Sequence, residues 1–377
     1  MNADIRANPA LDSPYFDLAG HIGSRAYCMD NIYHDGPDDT ATLLDVGVQA
    51  LLPTPIPAPP NRTPKGPTFD IRQSEGKRGL GMFAAQNIPA GGLIVVERPV
   101  LVVPYIIAIQ TYTESELYAA LLGRLSPDTV ARFLVLSNCK PASECDAVEG
   151  IMRTNAIGIT LEVPDGPHPE LPTHRAIFLN VSRCNHSCGP NAVWHWDATS
   201  FSLSLEALRP IEAGQEITVA YITPTHSRAE RRARLKMMYN FSCRCEFCAR
   251  PAIAVSKSDA MRAELRAFWD AVPSFEAWCL DARMPDHALI DAHKRAILLI
   301  EAEGLQTLDY GKHLDAIAMG YGALQDVEQF RAWMWHARDA RPVGRDDAAR
   351  VMQKWINDPE SFPVWGWRKS LQRRRKD

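Results

Sequence analysis

Several things are missing from this chain. No stretch of its 377 residues is apolar for long enough to cross a bilayer. The longest candidate, GGLIVVERPVLVVPYIIAIQ, is broken by Glu97, Arg98, Pro99 and Pro104, and reads as buried strands. The first thirty residues carry Asp4, Arg6, Asp12 and Asp17 and no apolar core, so no secretory leader is expected. Neither sign of charge is in excess. The net charge of -4 gives no global attraction to nucleic acid or acidic lipid. There is no G-x-x-x-x-G-K-[ST] loop and no G-x-G-x-x-G turn, which removes the common phosphate-cradling classes. No exact internal repeat is found.

What is present is ordinary in bulk, with 46% hydrophobic and 23% charged residues. The nine cysteines, without a leader, are expected as thiols or metal ligands in a reducing compartment, cytoplasmic or nuclear. Residues 1–67 are weakly patterned and end in PTPIPAPPNRTPKGP, whose prolines favour an extended linker; they are expected to be an N-terminal extension. From FDIRQ onward, β-like runs such as GMFAA, GLIVVERPVLVV, AIGITLEV, HRAIFLNV, AVWHWD and EITVAYI alternate with turn signals such as QNIPAG and EAGQ. Between them, ESELYAALLGRL and DTVARFLVLSN place apolar residues at three- and four-residue spacing. That predicts a helical insert over about 112–153.

Beyond Thr225 the period is helical, and residues 258–356 read as helical hairpins of the kind that build superhelical arrays. The expected class is α+β, with a β-rich domain over 68–250 and a helical domain over 251–377. The basic run Arg368, Lys369 and Arg373 to Lys376 reads as a solvated tail. The sharper alternative is a nuclear-localisation or electrostatic contact.

Chemistry concentrates in two short stretches. CRCEFC places Cys243, Cys245 and Cys248 at C-x-C-x-x-C spacing, which lets three thiolates surround one tetrahedral ion at about 2.3 Å. CNHSCGPN, from Cys184 to Asn191, offers Cys184, His186 or Cys188 as a fourth ligand. The bland alternative is a set of buried thiols packing as small hydrophobes. A zinc deaminase is disfavoured. HPE at 168–170 matches half of its signature, but Arg244 stands where a proline is needed before C-x-x-C. A Cys–His nucleophile within CNHSC is disfavoured too, because near neighbours in sequence do not face each other.

GKRGLGMFA supplies glycines at 76, 79 and 81 that would let a backbone approach a ligand, but on its own it reads better as a plain glycine-rich turn. GKRGLGMFA, NHSCGPN, GQEITVAY and CRCEFC together occur in the order and spacing of the SET-domain protein lysine methyltransferases. The chain resembles that family over about 68–250, with its SET-and-MYND branch and filamentous-fungal proteins with a helical C-terminal half as the nearest likeness. RTNAIGI adds to it.

The resemblance implies a β-rich SET fold of small sheets with a pseudoknot, a post-SET zinc site and a TPR-like helical domain. It implies S-adenosylmethionine as methyl donor and a protein lysine as acceptor. Arg78, Gly79 and Leu80 would hold the methionine end through their backbone. Asn155 would contact the nucleoside. Asn185 and His186 would hold the amino-acid and adenine ends, and Phe241 would stack on adenine. Tyr221 would stand at the methyl-transfer point and Tyr239 would line the lysine channel. Cys188, Cys243, Cys245 and Cys248 would bind a structural zinc, leaving Cys184 as a core thiol. Tyr221 alone reads as well as a strand tyrosine with a bonded hydroxyl. Between residues 100 and 180 only Cys139 and Cys145 occur, so no MYND finger is expected. The lysine-bearing substrate could be a histone or another protein. A small-molecule acceptor and a catalytically degenerate scaffold are the alternatives. No nucleic-acid or membrane partner is expected.

Overall fold

The structure, a computed structural model, describes residues 27–34, 39–59, 66–74, 79–107, 112–162, 172–341 and 346–374. Arg78, the HPE triplet and the last basic residues of the C-terminal run lie outside that set.

Three small sheets are found among the described residues. The first has five strands, in the spatial order β1 (Tyr27–Ile32), β2 (Thr40–Asp45), β6 (Leu101–Pro104), β8 (Thr173–Ile177) and β7 (Ile157–Thr160). The second sets β11 (Ser202–Ala207) between β10 (Ala192–Asp197) and β5 (Leu93–Glu97). The third runs β3 (Phe69–Gln73), β4 (Leu80–Ala84), β12 (Glu216–Val219) and β9 (Asn185–His186). The β2–β6 and β9–β12 pairs are parallel. The long apolar run divides where the sequence says it must. Pro99 has no N–H to give a ladder, so the chain leaves β5, which pairs with β11, and starts β6 in another sheet.

Residues 27–51 depart from the expected loose extension. β1 and β2 form an antiparallel pair, and β2 continues in parallel onto β6. Ala41, Leu43 and Leu44 are fully buried together with Thr40 and Thr42, so β2 is covered on both faces. A six-residue strand in a Pro- and Asp-rich surrounding carries too little period to declare itself, and burial on both faces removes its alternation.

The helical insert is α2 (Glu114–Leu122), α3 (Pro127–Leu134) and α4 (Ala147–Asn155), after a short α1 (Val46–Leu51). Thr113 and Glu116 close a reciprocal capping box at the start of α2, and Ser126 caps α3 ahead of Pro127. Two apolar clusters fill this half. One, with Met82, Ile94, Phe201, Leu203 and Ile217, lies under the sheets. The other packs Leu117, Tyr118 and Phe133 onto Leu101 and Leu43.

The C-terminal half is helical as expected. It contains α5 (Arg228–Tyr239), α6 (Glu246–Ala249), α7 (Ala252–Ala271), α8 (Phe275–Leu280), α9 (Ala288–Glu303), α10 (Tyr310–Ala323), α11 (Val327–Asp339), α12 (Asp346–Asn357) and α13 (Trp367–Arg374). Helices α9 to α12 each pack on the next, around Trp278, Ile290, Ile317 and Phe330. No helix among the described residues is long and apolar enough to cross a membrane.

The basic C-terminal run needs a correction. Arg368 is fully buried, lies over the Trp278 ring at 4.4 Å, binds Asp286 at 2.8 Å and donates to the carbonyls of Trp278 and Met284. It fastens α13 onto α8 and takes no part in a solvated tail or a targeting signal. Charge alone in a sequence does not distinguish a buried guanidinium with carbonyl acceptors from an exposed one.

Candidate functional site

Two short strands carry the centre of the site. β9 is only Asn185 and His186, and it runs beside β12 with Asn185 opposite Thr218 and His186 opposite Val219. Side-chain bonds hold this pair where the ladder is too short to do so. Buried Asn191 accepts from Thr218 N at 2.8 Å and Thr218 Oγ1 at 3.2 Å, and donates to Glu216 O at 2.9 Å. Upstream, Glu97 accepts from Asn180 N, Val181 N and Asn180 Nδ2 at 2.8, 2.9 and 3.1 Å. It thereby caps the single 3₁₀ turn that delivers Cys184. Burial pushes the Glu97 carboxyl up to about 7, against the pull of those donors.

His186 is buried and its ring is engaged at both nitrogens. Nδ1 accepts from Tyr221 N at 3.0 Å, so the ring proton resides on Nε2, which faces Cys188 Sγ at 3.4 Å. The expectation that such near neighbours do not face each other fails for this pair, because residues two apart in extended chain share a face. The imidazole therefore ties the Tyr221 backbone to the cysteine cluster. Contact with a ligand here falls to the His186 backbone or ring face.

Tyr221 lies two residues past the end of β12, and its hydroxyl donates to Cys184 O at 2.6 Å. Burial, with lesser help from neighbouring acidic groups, holds its pKa well above the usual phenol range. Tyr221 thus stays a phenol at neutral pH with its one proton given to Cys184 O, so it can orient a ligand or accept a hydrogen bond from it, but not act as a base. Tyr239 stands against it, ring centroids 4.9 Å apart at 48°, and burial raises its pKa as well. Tyr239 ends α5. Asn240 follows at φ 55, a left-handed cap that asparagine tolerates, and the turn brings Phe241 to within 6.3 Å of the His186 ring. Cys184 is a buried core thiol 3.6 Å from Met82 Sδ, as expected.

Cys188, Cys243, Cys245 and Cys248 gather their sulfurs within 4.8 Å of one another. Cys188 Sγ lies 4.0 Å from Cys243 Sγ and 3.6 Å from Cys248 Sγ. Four sulfurs at about 2.3 Å from a tetrahedral ion would be about 3.8 Å apart, so the set fits zinc with little movement. Backbone N–H groups of Cys188 and Cys245 point at neighbouring sulfurs at 3.5 Å, as they do towards thiolates. The glycine of CNHSCGPN has a packing reason. A Cβ on Gly189 would come within 2.1 Å of Phe247 Cε2 and 2.8 Å of Glu303 O.

On the other side, Gly79 has φ +106, a conformation that favours glycine, and its carbonyl accepts from Ser74 N at 3.1 Å. Leu80 is exposed, and its carbonyl accepts from Asn185 Nδ2 at 3.3 Å. Asn155 is buried at the end of α4. Both amide hydrogens are spent, on Ser137 O at 2.6 Å and Ile151 O at 2.7 Å. Ser137 Oγ lies 3.7 Å from where a Gly79 Cβ would be, so Asn155 braces the loop beside that glycine.

Two buried arginines in the helical half escape the sequence reading. Arg262 bonds Glu303 Oε2 at 2.8 Å and donates to Cys188 O at 2.9 Å and Pro224 O at 2.5 Å. Arg231 lies 3.9 Å from Cys248 Sγ. Their helices have ordinary period, and nothing local in the sequence marks them.

Residues 79–222 match the SET domain family model, spanning the Gly79 turn, β9, the Cys188 turn and Tyr221. The chain carries a SET domain. Among curated proteins it is similar to the histone-lysine N-methyltransferase set5 of Schizosaccharomyces pombe, 28% identical over 200 residues, 51% of this chain and 54% of that protein. It is also 33% identical to a SET and MYND domain-containing protein of Dictyostelium discoideum over 101 residues, 26% of this chain and 29% of that one. The chain thus spans about half the length, or less, of these relatives. A solved SET domain of LSMT with bound lysine and AdoHcy aligns over 83% of this chain and 88% of that one, at 11% identity and a TM-score of 0.29. That likeness is too loose to add to the assignment.

Proposed function

We propose that this SET domain transfers a methyl group from S-adenosylmethionine to the ε-amine of a protein lysine, on a histone or another protein. The observation that supports it most is the meeting of Asn185 and His186 on β9 with Tyr221 and Tyr239 in one half-buried cluster beside the Gly79 turn. Similarity to proteins named histone-lysine N-methyltransferases supports the same reading.

Bound here, the methyl donor supplies a sulfonium-activated carbon, and the chain's task is alignment. Aromatic faces of Tyr221, Tyr239 and Phe241 suit cationic ligands. An apolar channel disfavours ammonium, so lysine, with a reference pKa of about 10.4, enters more readily as the neutral nucleophile. The Tyr221 hydroxyl, fixed on Cys184 O, orients the amine and shields it from water. In this reading Cys188, Cys243, Cys245 and Cys248 hold a structural zinc that fixes the Tyr239–Phe241 segment. The arrangement leaves no metal-based chemical step.

Titration calorimetry with S-adenosylhomocysteine tests the pocket, followed by transfer of labelled methyl groups to histones and whole-cell protein. Micromolar binding that is lost in Asn185→Ala and kept in Tyr221→Phe supports the reading. A zinc-loaded protein that binds neither donor nor product removes it.

A further inference from the structure

Asn185 is half-buried with its carboxamide nitrogen between two oxygens, Glu216 Oε1 at 2.7 Å and Leu80 O at 3.3 Å. Only the NH2 end can sit between two acceptors, so the orientation of the side chain is set. Its hydrogens turn into the protein and its Oδ1 turns away, and nothing among the described residues donates to that oxygen.

The same Glu216 oxygen accepts from Ser74 Oγ at 2.9 Å. Ser74 in turn bonds the Gly79 carbonyl, so one carboxylate oxygen holds both the glycine turn and the Asn185 carboxamide. β4 makes room for this arrangement at Gly81. A Cβ there would approach Glu216 Oε1 to 2.6 Å and Asn185 Nδ2 to 2.8 Å. Glu216 is itself held by its backbone, whose carbonyl accepts from Asn191 Nδ2 at 2.9 Å. The last asparagine of CNHSCGPN therefore fixes the residue that orients the first.

We propose that Glu216 is the positioning residue that presents Asn185 Oδ1 as an acceptor, and so selects ligands bearing a cationic α-amino group at this end of the site. The inference rests on the methyl-donor reading. An amide oxygen fixed outward matches the N–H donors of an amino-acid ammonium. The nearby carboxylate favours positive charge at the same place. Without Glu216 the carboxamide keeps only the longer bond to Leu80 O, and a flipped amide would offer its own hydrogens to that ammonium.

The test compares two ligands on the zinc-loaded full chain. S-adenosylhomocysteine has the amino-acid arm, and 5′-methylthioadenosine lacks it. Glu216→Ala should weaken the first about tenfold or more, the size of a charge-assisted hydrogen bond, and leave the second within about twofold. Glu216→Gln keeps an acceptor of the same shape and should fall between wild type and Glu216→Ala. Ser74→Ala, which leaves Glu216 in place, guards against a folding defect and should shift the ratio of the two affinities the same way by less. Equal weakening of both ligands would overturn the proposal, since it marks Glu216 as merely structural. Unchanged affinity for S-adenosylhomocysteine in Glu216→Ala would overturn it also. A wild-type protein that binds neither ligand would instead sink the methyl-donor reading itself, and the proposal with it.

Discussion

In the β-rich half, the Gly79 turn, β9, Tyr221 and the Tyr239–Phe241 turn come from segments far apart in sequence and are pinned by a few polar side chains: Asn191 to β12, Glu97 to the turn before Cys184, His186 to Tyr221. In the helical half, α9 to α12 pack each on its sequence neighbour through a continuous apolar cluster. Short strands with few ladder bonds need specific pins. Long helices with wide apolar faces need only period. The first half should therefore fail abruptly when one pin is removed, and the second should yield by degrees.

The largest expected effect is at the cysteines. Cys188→Ser should abolish zinc retention, measured as metal per chain, and with it S-adenosylhomocysteine binding, because structural zinc sites contribute on the order of 10 kcal/mol to the fold they close. A variant that keeps one metal per chain would show that three thiolates suffice. Next is Arg262→Met, which leaves Glu303 buried without its main partner and should cost about 3–5 kcal/mol in urea unfolding. Adding Glu303→Leu should return part of that loss. A cost below about 1 kcal/mol would mean that Arg250 and Ser258 satisfy Glu303 by themselves.

Acid should act on the helical half. His293 and His313 are buried with their Nδ1 atoms 2.9 Å apart, and burial first, then the neighbouring ring for His293, lowers each to about 4. A depressed folded value means the unfolded chain binds protons first. Stability is thus full above pH 6.5 and drains away as pH falls towards 4, by on the order of 3 kcal/mol. His293→Gln with His313→Asn should flatten the dependence of Tm on pH over that window, and an unchanged slope would place the acid sensitivity elsewhere.

Tyr221→Phe should lower turnover about tenfold to a hundredfold while ligand affinity stays within about twofold, since it removes one hydroxyl and little packing. A loss of binding as large as the loss of turnover would assign Tyr221 to the donor pocket instead. The smallest effect belongs to Arg295→Ala on the surface of α9, whose exposed pair with Glu264 should contribute less than about 0.5 kcal/mol to chemical stability.

Much of the site is legible in the sequence because its residues cluster in short motifs. CNHSCGPN and CRCEFC name the four thiols that meet, and EITVAY ends on the tyrosine that faces Tyr239. The helices are legible through their apolar period. What is not legible depends on partners far away in the chain. Arg262 sits in an unremarkable helix, and its acceptors are Cys188, Pro224 and Glu303. Asn155 offers an amide whose partners only the fold reveals. β2 loses its alternation through burial on both faces, and Arg368 looks like its exposed neighbours until Trp278 and Asp286 are placed around it.

The position of Arg262 also has meaning in order of synthesis. A nascent chain that has emerged as far as Cys248 already contains the four clustered thiols, Tyr221 and Tyr239, and the whole Asn185 strand. It still lacks the guanidinium that holds the carbonyls of Cys188 and Pro224, and the carboxylate of Glu303 that keeps that guanidinium in place. The β-rich half is written first and finished second, so its completion waits for α9 to leave the ribosome.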